Sequence, residues 1–377
     1  MARLPHAPSA MHRALAWALH AQVMAFLTLG LVEELANGRS GECRQLDVFV
    51  INLASNDGSG WQERFSRVAE QACTACGEAM RVGKRRVQRR FIDLSGERSA
   101  RVAAAQLASL GLHVLIDLNG YTTDERSDVL AHRPAPVAMH AIGYPSTMGA
   151  DFVPYMLLDR HAAPPRIRSA LSETLVLQPH CYQVNDHRRL PYTSRALTDH
   201  PSIDGGRQGC GVQGCGGRGL ASSGRRALLV NFNQVYKISP RAHASWCALL
   251  ARAPASRLWL LRQPPDAEPF LRAELSACGV NARSRLLFAD VVRDIGEHIE
   301  RTAHASLVVD TPEYNAHVSG SDALWAGVPL LTMAGETMAA RVGASLLHGS
   351  ATAAGGLVQG PREYVDVGVG LVDWPPS

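Results

Sequence analysis

The stretch LVVDTPEYNAHVSGSDALWAGVPLLT, residues 307–332, decides the fold class of this chain. Leu307–Asp310 is an apolar run that ends in a carboxylate, and a polar loop separates it from a helical segment, Ser319–Trp325. A second apolar run, Val328–Thr332, follows that helix. Short, continuously apolar strands that alternate with helices are typical of parallel sheets covered on both faces. Such sheets bind ligands at the carboxyl ends of their strands.

The same alternation extends upstream to Leu228. Ser239 and Pro240 have the residue types of an N-cap and a first helical position. Apolar runs predict strands at Leu228–Val230, Leu258–Leu261 and Leu286–Phe288. Helices are expected after Ser239, near Glu268–Ala277 and around Glu297–Ala303. The pattern indicates Rossmann-like winding in the carboxyl-terminal half.

The amino-terminal half repeats this pattern more loosely, with strands expected at Val48–Leu53, Phe91–Ile92, His113–Leu118 and Tyr155–Leu158. Between the halves lies a glycine-rich run, Gly205–Gly224, with the composition of a flexible linker. We therefore expect an α/β protein with two Rossmann-like lobes facing a cleft that holds the ligand. The expected limits are 1–198 for the first lobe, 199–226 for the insert and 227–377 for the second lobe.

Composition excludes several classes of protein. A net charge of +4 over 377 residues is small, and the basic run Lys84–Arg86 is typical of a solvated face, so we expect no nucleic-acid partner. The apolar segment Ala14–Leu31 contains His20 and Gln22, which favours a mostly buried helix over a membrane or signal segment. We expect no membrane association.

The eight cysteines show no regular spacing. Cys73 and Cys76 form a CxxC, while Cys210 and Cys215 lie far downstream, so the paired arrangement of a compact zinc module is missing. A disulfide framework is not expected in a chain of this size. Free thiols in a reducing compartment are the expectation.

The strongest cluster of candidate functional residues is Asp310–Asp322, which joins a strand end to a helix start. The first turn of a helix presents unpaired N–H groups and a positive dipole end, which suit a pyrophosphate. Asp322, one turn into the helix, is placed to accept hydrogen bonds from ribose hydroxyls. The alternative is structural: Ser319 caps the helix and Asp322 complements its dipole.

Two further clusters also follow apolar strands. Asn231–Lys237 ends in a lysine just before a helix, where it could neutralise a phosphate, although a lone lysine is more often a surface residue. Asp117–Thr122 closes the strand that contains His113. A histidine inside a strand is more often a core residue with satisfied hydrogen bonds than a catalytic group. Walker, HExxH and GxSxG motifs are missing from the sequence.

Together these segments resemble the protein O-GlcNAc transferase family, glycosyltransferase family 41. The matching motifs, in chain order, are DLNGYT at 117–122, RPAP at 133–136, GYPSTMGADF at 143–152, NFNQVYK at 231–237, LWLLR at 258–262, DTPEYNAH at 310–317, DALWAGVPLLTM at 322–333 and GETMAARVGAS at 335–345. The resemblance implies a GT-B fold and inverting transfer of N-acetylglucosamine from UDP-GlcNAc to Ser and Thr hydroxyls of proteins. It also implies that neither a metal nor a further cofactor takes part.

The resemblance also assigns roles to single residues. Lys237 binds the diphosphate and stabilises the leaving nucleotide, with Gln234 nearby. His113 matches a histidine near the acceptor and donor sugar, and His6 matches a histidine proposed as the base. The remaining implied donor contacts are His298 to the uracil, His317, Val318 and Ser319 to the pyrophosphate, and Asp322 to the ribose.

The resemblance has departures and alternatives. The tetratricopeptide (TPR) repeats of the family are absent from this chain, the first lobe is expected to be incomplete at its start and the second to be truncated, and Tyr314 replaces a cysteine. The first lobe is expected to be the acceptor side, the second the nucleotide-sugar side, and the location cytoplasmic or nuclear. The alternatives are a protein O-fucosyltransferase that uses GDP-fucose and an inactive nucleotide-binding fragment.

Overall fold

The chain forms two compact α/β units in a computed structural model. The first is Met1–His187 with Thr337–Ala339, and the second is Arg188–Glu336 with Ala340–Ser377. The structure describes residues 11–17, 22–37, 46–53, 60, 63–68, 81–82, 85–86, 91–189, 227–292, 294–350 and 356–373. His6, the four cysteines at 73, 76, 210 and 215, and the insert 199–226 lie outside these ranges, so the predictions about them stay predictions.

The first unit is built on a seven-stranded parallel sheet in the order β5-β2-β1-β6-β7-β8-β9. The strands are β1 (Met11–Trp17), β2 (Leu46–Asn52), β5 (Phe91–Asp93), β6 (Val114–Asp117), β7 (Val137–Ala141), β8 (Tyr155–Asp159) and β9 (Thr174–Gln178). A short antiparallel hairpin, β3 (Arg81–Val82) and β4 (Arg85–Arg86), stands apart. The helices are α1 (Gln22–Asn37), α2 (63–68), α3 (Ala100–Ala108) and α4 (Ser127–Ala131).

The second unit is built on a six-stranded parallel sheet in the order β12-β11-β10-β13-β14-β15. The strands are β10 (Leu228–Asn231), β11 (Arg257–Leu261), β12 (Leu286–Ala289), β13 (Leu307–Val309), β14 (Leu330–Met333) and β15 (Leu357–Val358). The helices are α5 (Pro240–Arg252), α6 (Glu268–Ala277), α7 (Ala282–Arg285), α8 (Ile295–Thr302), α9 (Val318–Trp325), α10 (Val342–Gly349) and α11 (Pro361–Asp373). Ser239 caps α5 through its side chain, as its residue type predicts.

Both sheets have the same winding. Counted from the first strand of each unit and leaving out the β3–β4 hairpin, each sheet begins 3-2-1-4-5-6, the strand order of Rossmann folds. The order reverses between β10 and β13 in the second unit and between β1 and β6 in the first. Ligands of such sheets bind at this reversal, outside the carboxyl ends of the strands. The predicted fold class of two Rossmann-like lobes is confirmed.

Two predictions made from the sequence are wrong. The apolar segment Ala14–Leu31 is not one helix, because β1 runs to Trp17 and α1 begins only at Gln22. The expectation of free thiols fails for one pair, since Cys247 and Cys278 form a disulfide. That pairing is invisible in the sequence because 31 residues separate the two cysteines. Among the helices that the structure describes, none has both the length and the hydropathy to cross a membrane.

Candidate functional site

A buried carboxylate organises the loop that follows β13. Asp310 is 1% exposed, and its Oδ1 accepts hydrogen bonds from the N–H groups of Thr311 at 2.8 Å and Ala316 at 2.6 Å. Its Oδ2 accepts from the hydroxyl of Thr332 at 2.6 Å. Burial raises the pKa of Asp310 to about 6, while these hydrogen bonds and the charge of Lys237 oppose the rise. The loop 311–316 is therefore fixed by its own strand end.

Asparagine side chains connect this loop to the end of β10. Asn231 donates from Nδ2 to the carbonyl of Val309 at 2.8 Å, and Asn233 donates to the hydroxyl of Thr311 at 3.2 Å. The Oδ1 of Asn233 accepts from the hydroxyl of Ser319 at 2.8 Å. The loops after the two strands at the order reversal thus form one hydrogen-bonded unit.

The start of α9 has no side-chain cap. His317 occupies the N-cap position with φ −100° and ψ −90°, and its side chain makes no capping hydrogen bond. Ser319 is not the cap, since it lies inside the first turn and its hydroxyl bonds to Asn233. The N–H groups and the positive dipole end of this turn suit an anion. Val318 is the first residue of that turn.

Lys237 lies beside the same loop. Its Nζ donates to the carbonyl of Asn315 at 3.1 Å and stands 3.9 Å from the ring centroid of Tyr314. That ring in turn lies 4.9 Å from the ring of His317. Burial lowers the pKa of Lys237 to about 8, and the charge of Asp310 opposes the shift. The ammonium group of Lys237 and the N-cap residue of α9, His317, therefore both lie beside the ring of Tyr314.

His298 and Asp322 form a second group at this edge. The Nε2 of His298 lies 3.7 Å from Oδ2 of Asp322, and its Nδ1 lies 2.9 Å from the guanidinium of Arg301. The imidazole packs against Phe232 with ring centroids 5.6 Å apart. Burial lowers the pKa of His298, the carboxylate of Asp322 raises it and the charge of Arg301 lowers it. A neutral imidazole near pH 7 is the result.

The structure therefore brings most of the sequence-predicted residues to one edge of the second sheet. Lys237, His317 and Ser319 lie around the loop after β13, and His298 contacts Asp322. Gln234 is exposed at the N-cap of the short 3-10 helix Val235–Lys237.

His113 is in a different position from the other candidates. It precedes Val114, so it lies at the amino end of β6, whereas Asp117 and Asn119 follow the strand to its carboxyl end. Three to four residues of strand separate the two ends by about 10–13 Å at roughly 3.3 Å per residue. The structure does not bring His113 together with the edge at which ligands of such sheets bind.

The first unit also contains an aspartate at a strand end whose carboxylate holds the following loop, as Asp310 does in the second unit. Asp117 ends β6, the fourth strand in the winding, and accepts the N–H groups of Asn119 and Gly120, each at 3.0 Å. Burial raises the pKa of Asp117, and nearby His140 lowers it. Gly120 has φ +57°, and a Cβ there would lie 2.5 Å from Tyr144. The DLNGYT motif is thus a tight turn held by its own aspartate.

Sequence reasoning missed the residues whose hydrogen bonds hold the loops of the site in place. The sequence assigns no role to Asp310, Asn233 or Asn315. A usable signal exists at Asp310, a polar residue that closes an apolar strand, whereas Asn233 and Asn315 lie within loops. The side chain of Asn315 donates to the carbonyl of Thr311 at 2.8 Å and accepts from the N–H of Gly343 at 3.1 Å.

Comparisons with known proteins agree with the fold of this chain. A solved structure of an O-GlcNAc transferase mutant from Thermobaculum terrenum matches with a TM-score of 0.73 at 20% identity, covering 98% of this chain and 62% of that one. A complex of the Anabaena protein HepE with UDP and glucose matches with a TM-score of 0.51 at 11% identity, covering 96% and 90%. At these identities the likeness defines a class of fold, the two-lobed GT-B arrangement of Rossmann-like units.

Sequence comparison is more specific. The model of glycosyl transferase family 41 matches residues 42–202 and 223–373. The probable UDP-N-acetylglucosamine–peptide N-acetylglucosaminyltransferase SEC of Arabidopsis thaliana is 33% identical over 86% of this chain and 30% of that protein. The corresponding transferase of Caenorhabditis elegans is 27% identical over 87% of this chain and 34% of its own length. The chain belongs to glycosyl transferase family 41, and it spans about a third of these relatives.

Proposed function

We propose that this chain transfers N-acetylglucosamine from UDP-GlcNAc to serine and threonine hydroxyls of proteins, with inversion and without a metal ion. The relatives named above carry UDP-N-acetylglucosamine and peptide in their names. The observation that carries the proposal is the placement of Lys237 and the uncapped start of α9 beside Tyr314. Both lie at the order reversal of the second sheet.

The diphosphate is assigned to this point for electrostatic reasons. When the sugar leaves, negative charge grows on the β-phosphate, and fixed positive groups stabilise that charge without reorganising. Lys237 supplies an ammonium, and α9 supplies N–H groups and its dipole. Gln234, an exposed residue three positions before Lys237, is assigned to the same diphosphate.

The lysine content of the chain supports the assignment of Lys237 to the diphosphate. The sequence contains two lysines, Lys84 and Lys237, so the total of 38 basic residues leaves 36 arginines. Lysine carries a compact ammonium charge on a flexible stem, whereas arginine carries a planar, delocalised charge. A lysine at this position in a chain otherwise rich in arginine favours a role for the compact ammonium group.

The nucleoside is assigned to the neighbouring loop and helix. His298, neutral near pH 7, offers a flat ring for the uracil, and Asp322 offers a carboxylate for ribose hydroxyls. In the described geometry these two groups contact each other, so nucleotide binding would exchange that contact for contacts to the ligand. Val318 and Ser319, in the first turn of α9, then lie on the pyrophosphate side.

The chemical step is a displacement at the anomeric carbon. The acceptor oxygen attacks this carbon from the face opposite the nucleotide, and the bond to the β-phosphate oxygen breaks with both electrons going to UDP. The acceptor proton passes to a general base. His6 and His113 are the sequence candidates for groups on this side; His6 lies outside the described residues, and His113 lies at the amino end of β6.

The proposal is tested by a transfer assay with labelled UDP-GlcNAc and GDP-fucose on a mixture of protein acceptors. We expect alkali-labile incorporation of N-acetylglucosamine and none of fucose. Incorporation of fucose alone would favour the fucosyltransferase alternative. Binding of UDP with no transfer by the full chain would favour the inactive nucleotide-binding fragment. A cytoplasmic or nuclear location, protein acceptors and the lack of a nucleic-acid partner belong to the same proposal.

A further inference from the structure

Three side chains with metal-binding chemistry meet between helices α5 and α6. His243 and Cys247 lie four residues apart on α5, so they share one face of that helix. Cys278 is the residue that follows α6. One ligand atom from each of the three lies within 4.8 Å of the others. None of these residues takes part in the proposed transfer reaction, so the inference is independent of it.

The distance between sulfur and imidazole nitrogen in this cluster is close to that of a metal site. Cys247 and Cys278 are joined by a disulfide, and both ring nitrogens of His243 lie 3.8 Å from Sγ of Cys247. Zinc bonds of about 2.3 Å to sulfur and about 2.05 Å to nitrogen place sulfur and nitrogen about 3.6 Å apart in a tetrahedral site. The imidazole already lies at that separation. Reduction has to let the two sulfurs move apart, and the ring has to turn one nitrogen toward the cation, because Sγ of Cys247 is equidistant from both nitrogens.

We propose that the reduced form of this cluster binds a thiophilic divalent cation through His243, Cys247 and Cys278. Zinc is the cation that this ligand set favours. Two thiolates and one imidazole are a ligand set that zinc accepts, with water in the fourth position. The disulfide and the metal site are alternative states of the same three residues. The sequence does not predict the cluster because its cysteines come from α5 and from the residue that follows α6, rather than from one CxxC.

The disulfide is converted to the metal site in two steps, reduction and then metal binding. A dithiol reductant gives two electrons and two protons to the disulfide, which becomes two thiols while the reductant becomes a disulfide. Zinc then displaces both thiol protons, forms two bonds to sulfur and accepts the lone pair of one nitrogen of His243. Cys278 is exposed, which gives both the reductant and the cation access, whereas Cys247 is buried.

The test is a cobalt titration of the full chain, because cobalt replaces zinc in such sites and thiolate ligands give it a strong near-ultraviolet absorption. The chain is reduced, freed of reductant without oxygen, and titrated. We expect one thiolate-bound equivalent that zinc displaces, and no such equivalent in the oxidised chain. Cys247→Ser and Cys278→Ser should each abolish it, and His243→Ala should weaken binding at least about tenfold.

Matched variants make the result specific. Cys181→Ser removes a half-buried cysteine that is not part of the disulfide, and the Cys73→Ser/Cys76→Ser double variant removes the CxxC; neither should change this equivalent. Cys278 is exposed, so Cys278→Ser serves as the thiol variant that keeps its fold, checked by its thermal midpoint. Cobalt absorption that persists in Cys278→Ser, an unchanged affinity in His243→Ala, or equal binding by the oxidised chain would each overturn the proposal.

Discussion

The Nζ of Lys237 donates a hydrogen bond to the carbonyl of Asn315 at 3.1 Å. The bond spans the order reversal of the second sheet, since Lys237 follows β10 and Asn315 follows β13. It fixes the ammonium group beside the loop that leads into α9. A charge held in advance at the proposed diphosphate position is what stabilisation of a leaving UDP requires.

Replacement of Lys237 by alanine should therefore lower kcat for transfer by about a hundredfold or more, the scale of losing one preorganised charge contact. Lys84→Ala removes the other lysine of the chain and is the matched control, with no expected change. Initial rates with UDP-GlcNAc at saturation measure both. Near-normal turnover by folded Lys237→Ala would show that the leaving group is stabilised elsewhere.

The activity should also depend on the protonation of Lys237. Because burial lowers its pKa to about 8, kcat/KM should fall about tenfold per pH unit above that value as the ammonium is lost. The contribution of Lys237 to folding stability should have the opposite pH dependence. Between pH 8 and 10.5 the folded chain binds fewer protons at this lysine than the unfolded chain does, so this group makes stability rise with pH. A kcat/KM profile that stays flat to pH 10 would contradict the assignment.

Transfer should persist in excess EDTA, because the proposed site places Lys237 and the start of α9 where other transferases use a divalent cation. Rates measured with EDTA and with added magnesium or manganese should agree within about twofold. Loss of activity in EDTA that either added ion restores would mean that the electrostatic account of the leaving group is wrong.

Tyr364 links the core to the site. Its hydroxyl donates to the carbonyl of Asp310 at 3.0 Å and lies 3.4 Å from Nε1 of Trp246. Tyr364→Phe leaves a buried carbonyl without this donor, which should cost about 1–3 kcal/mol. Since two units need not unfold together, the measurement is the thermal transition that UDP shifts. Tyr236→Phe, at a side chain 75% exposed, is the control and should leave that transition unchanged.

Much of the second unit could be predicted because its strands are short, continuously apolar and bounded by polar loops. Leu228–Val230 and Leu307–Asp310 were placed within one residue of β10 and β13. β7 was missed because its sequence, VAMHA, is short and includes a histidine, and burial in the sheet rather than local pattern decides its conformation. β1 was missed because an apolar run without breaks does not distinguish strand from helix.

The candidate site was predictable in its position and less so in its construction. Strand ends and a helix start placed Asn231–Lys237 and Asp310–Asp322 at one edge, since carboxyl ends of parallel strands meet there. Within these clusters it was the family resemblance that assigned roles to Lys237 and His317. The bonds that hold them, such as Asp310 to Ala316 and Asn233 to Ser319, join residues whose proximity only the fold determines. The same holds for Cys247 and Cys278, which meet across two helices.

Nucleotide selectivity tests the central claim most directly, namely that the second unit binds a uridine diphosphate at the order reversal of its sheet. UDP should raise the thermal midpoint of the full chain more than GDP at equal concentration, because a ligand of the native state stabilises it by mass action. His298→Ala should erase most of the UDP shift and Asp322→Ala should weaken it, while His348→Ala, at an exposed position on α10, should retain it. A larger shift with GDP, or a UDP shift unchanged in both His298→Ala and Asp322→Ala, would contradict the account.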